Sequence, residues 1–192
     1  SASNYDLSYV TGDLVVNQRA VTLTASQQER AYGDTMVLDE TAFTITDLDG
    51  DGALPNGEVI DTVVLNSAAG VDISTTSNVG TYAAEITITG QAGSNGFSVG
   101  NYDLTYVAGD LVVNARAVTL TALPQEGIYG DALVLDETAF TVTDLDGDNA
   151  LPHGEVIDTV ILNTDAGANV GTYADAIAIT GQAGSSGFSA TN

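Results

Sequence analysis

Two twelve-residue acidic segments hold the side chains of this sequence that are best suited to bind a ligand. In each segment three aspartates stand at alternate positions and a glutamate follows at position twelve. This is the order of the calcium loop D-x-[DN]-x-[DN]-G-x5-E, whose alternate carboxylates point inward and whose glutamate completes the oxygen shell. We predict ligation by these carboxylates and by one main-chain carbonyl, that of alanine, in each segment. The predicted ligands are Asp47, Asp49, Asp51, Ala53 and Glu58 in the first segment, and Asp144, Asp146, Asp148, Ala150 and Glu155 in the second.

The same segments also fit a second interpretation, a solvated hairpin turn, because Asp, Asn and Gly are favoured in turns for backbone reasons alone. Calcium is favoured by the repetition of the pattern and by the apolar Leu54 and Leu151 at position eight, which we expect to point into a core. Three carboxylates within five residues also repel one another unless a cation lies between them. We expect weaker binding at the second segment, where Asn149 replaces the glycine of position six and adopts a left-handed backbone less readily.

Composition excludes several classes of function. The chain has 192 residues, with 26 acidic residues against three basic ones and a net charge of −23. This charge argues against nucleic-acid binding and against docking on anionic membranes. No cysteine is present, which excludes disulfides and thiolate chemistry, and no apolar run reaches the roughly 20 residues of a membrane span. No nucleophile, base and orienting group can be assembled around the single His153, so we predict that the protein is not an enzyme.

An internal repeat determines the predicted architecture. Residues 4–17 recur almost unchanged as residues 101–114, an offset of 97 that continues to Asn66 and Asn163 and then becomes 91 at Tyr82 and Tyr173. Within each copy apolar residues alternate with Thr and other polar residues at period two, which is typical of half-buried strands. Glycine and aspartate turns separate these segments. We predict an all-β protein of tandem Ig-like antiparallel β-sandwich repeats, with a β-grasp-like repeat as the alternative.

The second copy contains four characteristic strings: residues 101–113 (NYDLTYVAGDLVV), 129–133 (YGDAL), 139–143 (AFTVT) and 170–173 (VGTY). These strings resemble the YDG/MBG repeats of bacterial two-partner-secreted, filamentous-haemagglutinin-like adhesins, and residues 101–113 are similar to the strand pair that closes such repeats. The resemblance covers essentially the whole chain. It implies an extracellular spacer repeat of a large surface protein, without catalytic residues. The acidic segment is an insertion relative to many such repeats, so the resemblance implies nothing about calcium.

The resemblance also implies the unit boundaries. Residues 1–19 would be the closing strand pair of a preceding repeat, residues 20–114 a complete repeat, and residues 115–192 a second repeat without closing strands of its own. The alternative division is residues 1–97 and 98–192. Because an open sheet edge is a template for pairing, we predict that residues 4–16 complete the C-terminal unit, either in a neighbouring chain or by folding back.

Together these observations predict a structural extender repeat of a bacterial surface adhesin, secreted to the cell surface and stiffened by calcium. Its partners would be the neighbouring repeats of the same protein, with no nucleic acid and no membrane insertion. The link between the two copies contains neither proline nor glycine, which limits bending. The alternative function is an adhesin domain that binds a glycan or a host protein, for which the eight tyrosines would supply stacking surfaces.

Overall fold

The computed structural model describes residues 4–67, 78–144, 146–147, 149–165 and 169–190. These residues contain β-strands and single 3₁₀ turns but no α-helix, so the predicted all-β class is confirmed. The strands are β1 (Arg19–Ala25), β2 (Gln28–Ala31), β3 (Phe43–Asp47), β4 (Val59–Ser67), β5 (Gly80–Ser94), β6 (Tyr102–Val107), β7 (Gly109–Asn114), β8 (Val118–Ala122), β9 (Phe140–Asp144), β10 (Val156–Thr164) and β11 (Ile177–Ser185). Within the described ranges, no helix is long and apolar enough to cross a membrane.

The first unit contains two sheets that share one core. One sheet has the order β3-β1-β6 and the other the order β2-β7-β5-β4. Alternate side chains of the strands point between the sheets, because neighbouring residues of a strand face opposite ways. The core consists of Val21, Leu23, Ala25, Leu54, Ile60, Val63, Leu65, Ile86, Ile88, Tyr102 and Leu111. Burial of Leu54 agrees with its predicted inward position in the acidic loop.

The predicted antiparallel arrangement is wrong for two strand pairs, because β1 pairs with β6 and β2 with β7 in parallel, so that the sheets are mixed. The cause lies in the path of the chain. β1 and β2 are successive parts of one segment that passes from the first sheet to the second, and β6 and β7 follow the same path beside it. Side-chain alternation has the same period in either direction, so the sequence pattern does not report strand direction. No α-helix packs on these sheets within the described residues, as a β-grasp would require.

Gly109 marks the point where the closing segment passes between the sheets. A Cβ atom at this position would lie 2.5 Å from the carbonyl oxygen of Ala25 and 2.7 Å from that of Ser26. Only glycine allows the two backbones to approach this closely. The sequence predicts only that glycine and aspartate turns separate the strands, and at Gly109 the structure shows the crossing that joins both sheets.

The second unit has fewer paired strands. Its strands form two separate two-stranded sheets, β8-β9 and β10-β11. Residues 125–128 and 171–176, which correspond to β2 and to the start of β5, have no strand structure. In the first unit those segments pair with β7. In the second unit no described strand occupies the position of β7. As a result Val118 is 37% exposed, whereas its counterpart Val21 is 2% exposed.

Residues 5–18 form no regular element, although they repeat the sequence of β6 and β7. Their apolar side chains are exposed, with Tyr9 at 90% and Leu14 at 88%. In this structure they pair with no strand of the C-terminal unit. Completion of that unit by a neighbouring copy therefore stays a prediction.

Candidate functional site: the acidic loops and the joint between units

An arginine binds two carboxylates of the first acidic loop. Asp47 ends β3, and its neighbour in the sheet is β1, which begins with Arg19. The Nη2 atom of Arg19 lies 2.5 Å from Oδ2 of Asp47 and 2.5 Å from Oδ2 of Asp49. The Asp47 side chain is fully buried, and its Oδ1 accepts a hydrogen bond of 3.0 Å from the Gly50 amide. Both oxygens of Asp47 are thus already bonded within the protein.

These bonds change the protonation of the carboxylates. The hydrogen bond from Arg19 holds the pKa of Asp47 below its usual range, although burial of the carboxyl acts in the opposite direction. At Asp144, burial is the largest single influence and acts to raise the pKa. The hydrogen bond and charge of Arg116, together with two backbone amides, outweigh burial, so that the pKa of Asp144 is lowered. Both carboxylates are therefore anionic at neutral pH, each with an arginine as counter-ion.

The other predicted ligands of the first loop also have protein partners. Asp51 Oδ1 accepts a hydrogen bond of 2.9 Å from the Ala53 amide, and Glu58 Oε2 accepts one of 2.5 Å from the Tyr102 hydroxyl. Burial, reinforced by this bond to Glu58, raises the pKa of Tyr102 to about 12. Among the described residues, no three Asp, Glu or His side chains converge as ligands of one metal ion. In this structure Asp47 and Asp49 are bonded to Arg19, and calcium binding by the loop stays a prediction.

The second acidic loop repeats this pattern. Arg116 binds Asp144 Oδ2 through Nε at 3.0 Å and Nη2 at 2.9 Å, and Nη2 also contacts Asp146. Asn149 has a φ of 66°, close to the 72° of Gly52 at the same loop position, so it does adopt the left-handed backbone. Glu155 faces the first unit, as described below, and Ala150 is exposed. The predicted ligand Asp148 lies outside the described residues.

A tight turn of the first unit docks on the second acidic loop. Asp34 Oδ1 accepts a hydrogen bond of 2.6 Å from Arg116 Nη1, which gives this arginine a third carboxylate. The Tyr32 hydroxyl donates a bond of 2.8 Å to Glu155 Oε1. The Arg116 side chain is consequently 5% exposed, against 26% for Arg19. These contacts, which we call the joint, connect residues 32–34 of the first unit with residues 116 and 152–155 of the second.

Close packing accompanies these polar contacts. Gly33 has a φ of 84°, and a Cβ atom there would lie 2.3 Å from Pro152 Cγ, so only glycine fits this turn against the proline. The Tyr32 ring meets the His153 ring edge-on, with centroids 5.5 Å apart. Residues 115–117 alone separate β7 from β8. The joint thus combines a short covalent link, a buried ion pair and an apolar contact.

The joint was not predicted from the sequence. The acidic loops were assigned to calcium, and the repeated tyrosines were considered only as stacking surfaces in the alternative function. One signal was present: two of the three basic residues, Arg19 and Arg116, occupy the same repeat position in a chain with 26 acidic residues. Such scarce cations are expected where carboxylates are buried.

Comparison with known families supports the coarser part of the resemblance. Residues 21–112 match the MBG domain (YGX type). This is a non-catalytic repeat domain typical of bacterial surface proteins. The only Tyr-Gly-X triplet of the matched range is Tyr32, Gly33 and Asp34, the turn that forms the joint. Nothing supports the narrower resemblance to two-partner-secreted, haemagglutinin-like adhesins. No curated protein and no solved structure matches the chain.

Proposed function

We propose that this chain is a structural extender segment of a bacterial surface adhesin, in which successive MBG-like units are locked at a fixed angle. The observation that carries the proposal is the joint, in which Asp34 and Tyr32 of one unit bind Arg116 and Glu155 of the next. An extender must keep its full length, which requires that successive units do not bend relative to one another. Interfaces within a chain allow domain motion by default unless they are well packed.

The joint contains few polar contacts, but each of them contributes substantially to the free energy that holds the units together. Arg116 is almost completely buried between three carboxylates, and removing one member of such a cluster leaves a buried charge with fewer partners. Loss of a fully buried partner costs about 3–5 kcal/mol, but the Asp34 side chain is 39% exposed, and water screening reduces the contribution of this pair to about 1 kcal/mol. The Tyr32 bond to a carboxylate adds about 1.5–3 kcal/mol by the usual value for charged hydrogen bonds.

Backbone ¹⁵N relaxation of the dilute monomer tests this proposal. A locked joint makes both units tumble with one rotational correlation time, that of a 19.5 kDa particle. The double variant with Tyr32→Ala and Asp34→Ala should give two shorter correlation times, one for each unit. Two independent correlation times in the wild-type chain would contradict the extender function.

Calcium is a second component of the proposal, supported by the twelve-residue spacing and by the net charge of −23. Two of the aspartates that would ligate it in each loop now bind an arginine: Asp47 and Asp49 bind Arg19, and Asp144 and Asp146 bind Arg116. Calcium would therefore compete with arginine, and its effect would be to neutralise the loop rather than to create the joint. This component is tested separately in the Discussion.

A further inference from the structure

The parallel strand pairs of the first unit connect the point where the chain enters this unit with the point where it leaves. The entering segment is residues 19–31, which contains β1 and β2, and the leaving segment is residues 102–114, which contains β6 and β7. The two segments run side by side in one constant register, so that their first residues are partners and their last residues are partners. We call these two segments together the clamp.

A tensile force along the chain acts on the clamp in shear. Because the segments are parallel, the chain enters at the start of one and leaves at the end of the other, and the loaded residues Arg19 and Asn114 lie at opposite ends of the clamp. Tension would slide the segments along each other, so that the evenly spaced hydrogen bonds of the parallel pair would share the load. An antiparallel pair would be loaded at one end and would open bond by bond.

Burial of the side chains of the clamp opposes this sliding. Both segments contribute fully buried residues to the interior, which are Val21 and Leu23 from the entering segment and Leu111 and Val113 from the leaving segment. A displacement by one residue would turn these side chains to the other face of the sheet. Sliding therefore exposes apolar surface in addition to breaking hydrogen bonds.

The crossing at Gly109 blocks a displacement by two residues, which would keep each side chain on its own face. Tension pulls the leaving segment towards its C-terminus, and a shift by two residues would bring Val107 into the place of Gly109. A Cβ atom in that place would lie 2.5 Å from the carbonyl oxygen of Ala25, an approach that only glycine allows. The crossing thus fixes the register of the clamp.

Further hydrogen bonds hold both ends of the clamp. At the entry end the Gln18 side chain donates a bond of 3.1 Å to the carbonyl of Gly100. At the exit end Asn114 Nδ2 donates a bond of 3.0 Å to Glu29 Oε2, and the Asn114 carbonyl accepts one of 2.9 Å from the Tyr32 amide. These bonds tie the two segments together at the points where tension is applied.

We propose that the first unit bears tension along the chain, with the clamp as the element that resists it. Resistance to force depends on the rate of unfolding rather than on equilibrium stability, and shear loading makes that rate low because many bonds must break together. This function goes beyond the extender function: the joint resists bending between units, whereas the clamp resists stretching within one unit. The clamp lies within residues 19–114 and does not depend on a fixed angle at the joint.

Single-molecule force spectroscopy of the full chain tests this proposal by changing only the direction of pulling. The chain has no cysteine, so handles can be attached to new cysteines at exposed positions. Gln18→Cys with Ala115→Cys is pulled from opposite ends of the clamp. The matched control, Gln18→Cys with Asn101→Cys, is pulled from two residues at the same end, where the segments separate one bond at a time. All three substituted residues are exposed.

We expect the unfolding force at one loading rate to be several-fold higher when the clamp is pulled from opposite ends. The urea midpoints of the two variants should agree, because equilibrium stability does not depend on the direction of pulling. Equal forces in the two directions would overturn the proposal. A force difference that only parallels a difference in urea midpoint would also overturn it.

This experiment is independent of the test of the extender function. Neither pair of handles spans the joint, because residues 18, 101 and 115 all precede Arg116. A flexible joint, seen by ¹⁵N relaxation, would therefore leave the expected force difference intact. Loss of the force difference would likewise leave the rigidity of the joint unaffected.

Discussion

Tyr32 and Tyr129 occupy the same repeat position, but only Tyr32 is buried in the joint. Tyr32 is 6% exposed and bonded to Glu155, while Tyr129 is 69% exposed. A buried tyrosine removes roughly 150–250 Å² from water, which at about 25 cal/mol per Å² gives an upper limit of roughly 4–6 kcal/mol. We therefore expect Tyr32→Ala to lower the free energy of unfolding by about 3 kcal/mol. Tyr129→Ala should change it by less than about 0.5 kcal/mol.

Urea denaturation of the dilute chain, followed by far-ultraviolet circular dichroism, measures this difference. Two coupled units need not unfold in one transition, so the transition of each unit is fitted separately. In Tyr32→Ala the second unit should unfold at lower urea concentration, because it loses the surface that Tyr32 covers. Equal losses in the two variants would refute the assignment of Tyr32 to the joint, and so would a loss confined to Tyr129→Ala.

Three further predictions concern the crossing point, the ion pairs and calcium. Gly109→Ala should destabilise the first unit by at least about 2 kcal/mol, because its Cβ would meet a backbone carbonyl. Gly12→Ala, with open space around it, should leave the urea midpoint of the monomer unchanged. Similar losses in the two variants would contradict the crossing at Gly109. The pKa of Asp47 is lowered in the folded state, so its contribution is complete above about pH 4 and is lost as pH falls through the folded pKa. Arg19→Gln should reduce this acid dependence of the urea midpoint, and an unchanged profile would remove the ion pair from the account. If calcium binds, the melting temperature should be higher in calcium than in EDTA. The difference should correspond to about 2.7 kcal/mol per site when calcium is at 100 times Kd. Asp51→Asn should diminish this difference, and equal melting temperatures in calcium and EDTA would exclude calcium binding.

The sequence predicted which residues face the core but not how the strands are connected. Alternation at period two placed Val21 and Leu23 in a core, and both are buried. The parallel course of β6 beside β1 depends on a partner about 80 residues away, and local alternation carries no information about direction. The role of Gly109 follows from the close approach of the Ala25 and Ser26 carbonyl oxygens, which only the folded chain brings to it.

The candidate site was predicted in part. Both acidic loops follow from the sequence repeat, and the structure shows an arginine bound to the aspartates of each loop. Arg19 contacts Asp47 because β1 and β3 are neighbours in the sheet. The order of residues along the chain does not show which strands are neighbours. The joint was missed for the same reason: Tyr32 and Glu155 are 123 residues apart in sequence, and only the path of the chain through β7 into the second unit brings them together.

The central claim is that the two units are held at one angle, and a distance measurement between them tests it most directly. The chain contains no cysteine, so a spin label can be attached to one new cysteine in each unit, at Thr89 and at its repeat equivalent Thr180, both exposed. Double electron–electron resonance of the dilute monomer should give one narrow distance distribution, which Asp34→Ala combined with Tyr32→Ala should broaden. A broad distribution in the otherwise unchanged chain, or a narrow one that survives both substitutions, would contradict the claim that the joint holds the units in place.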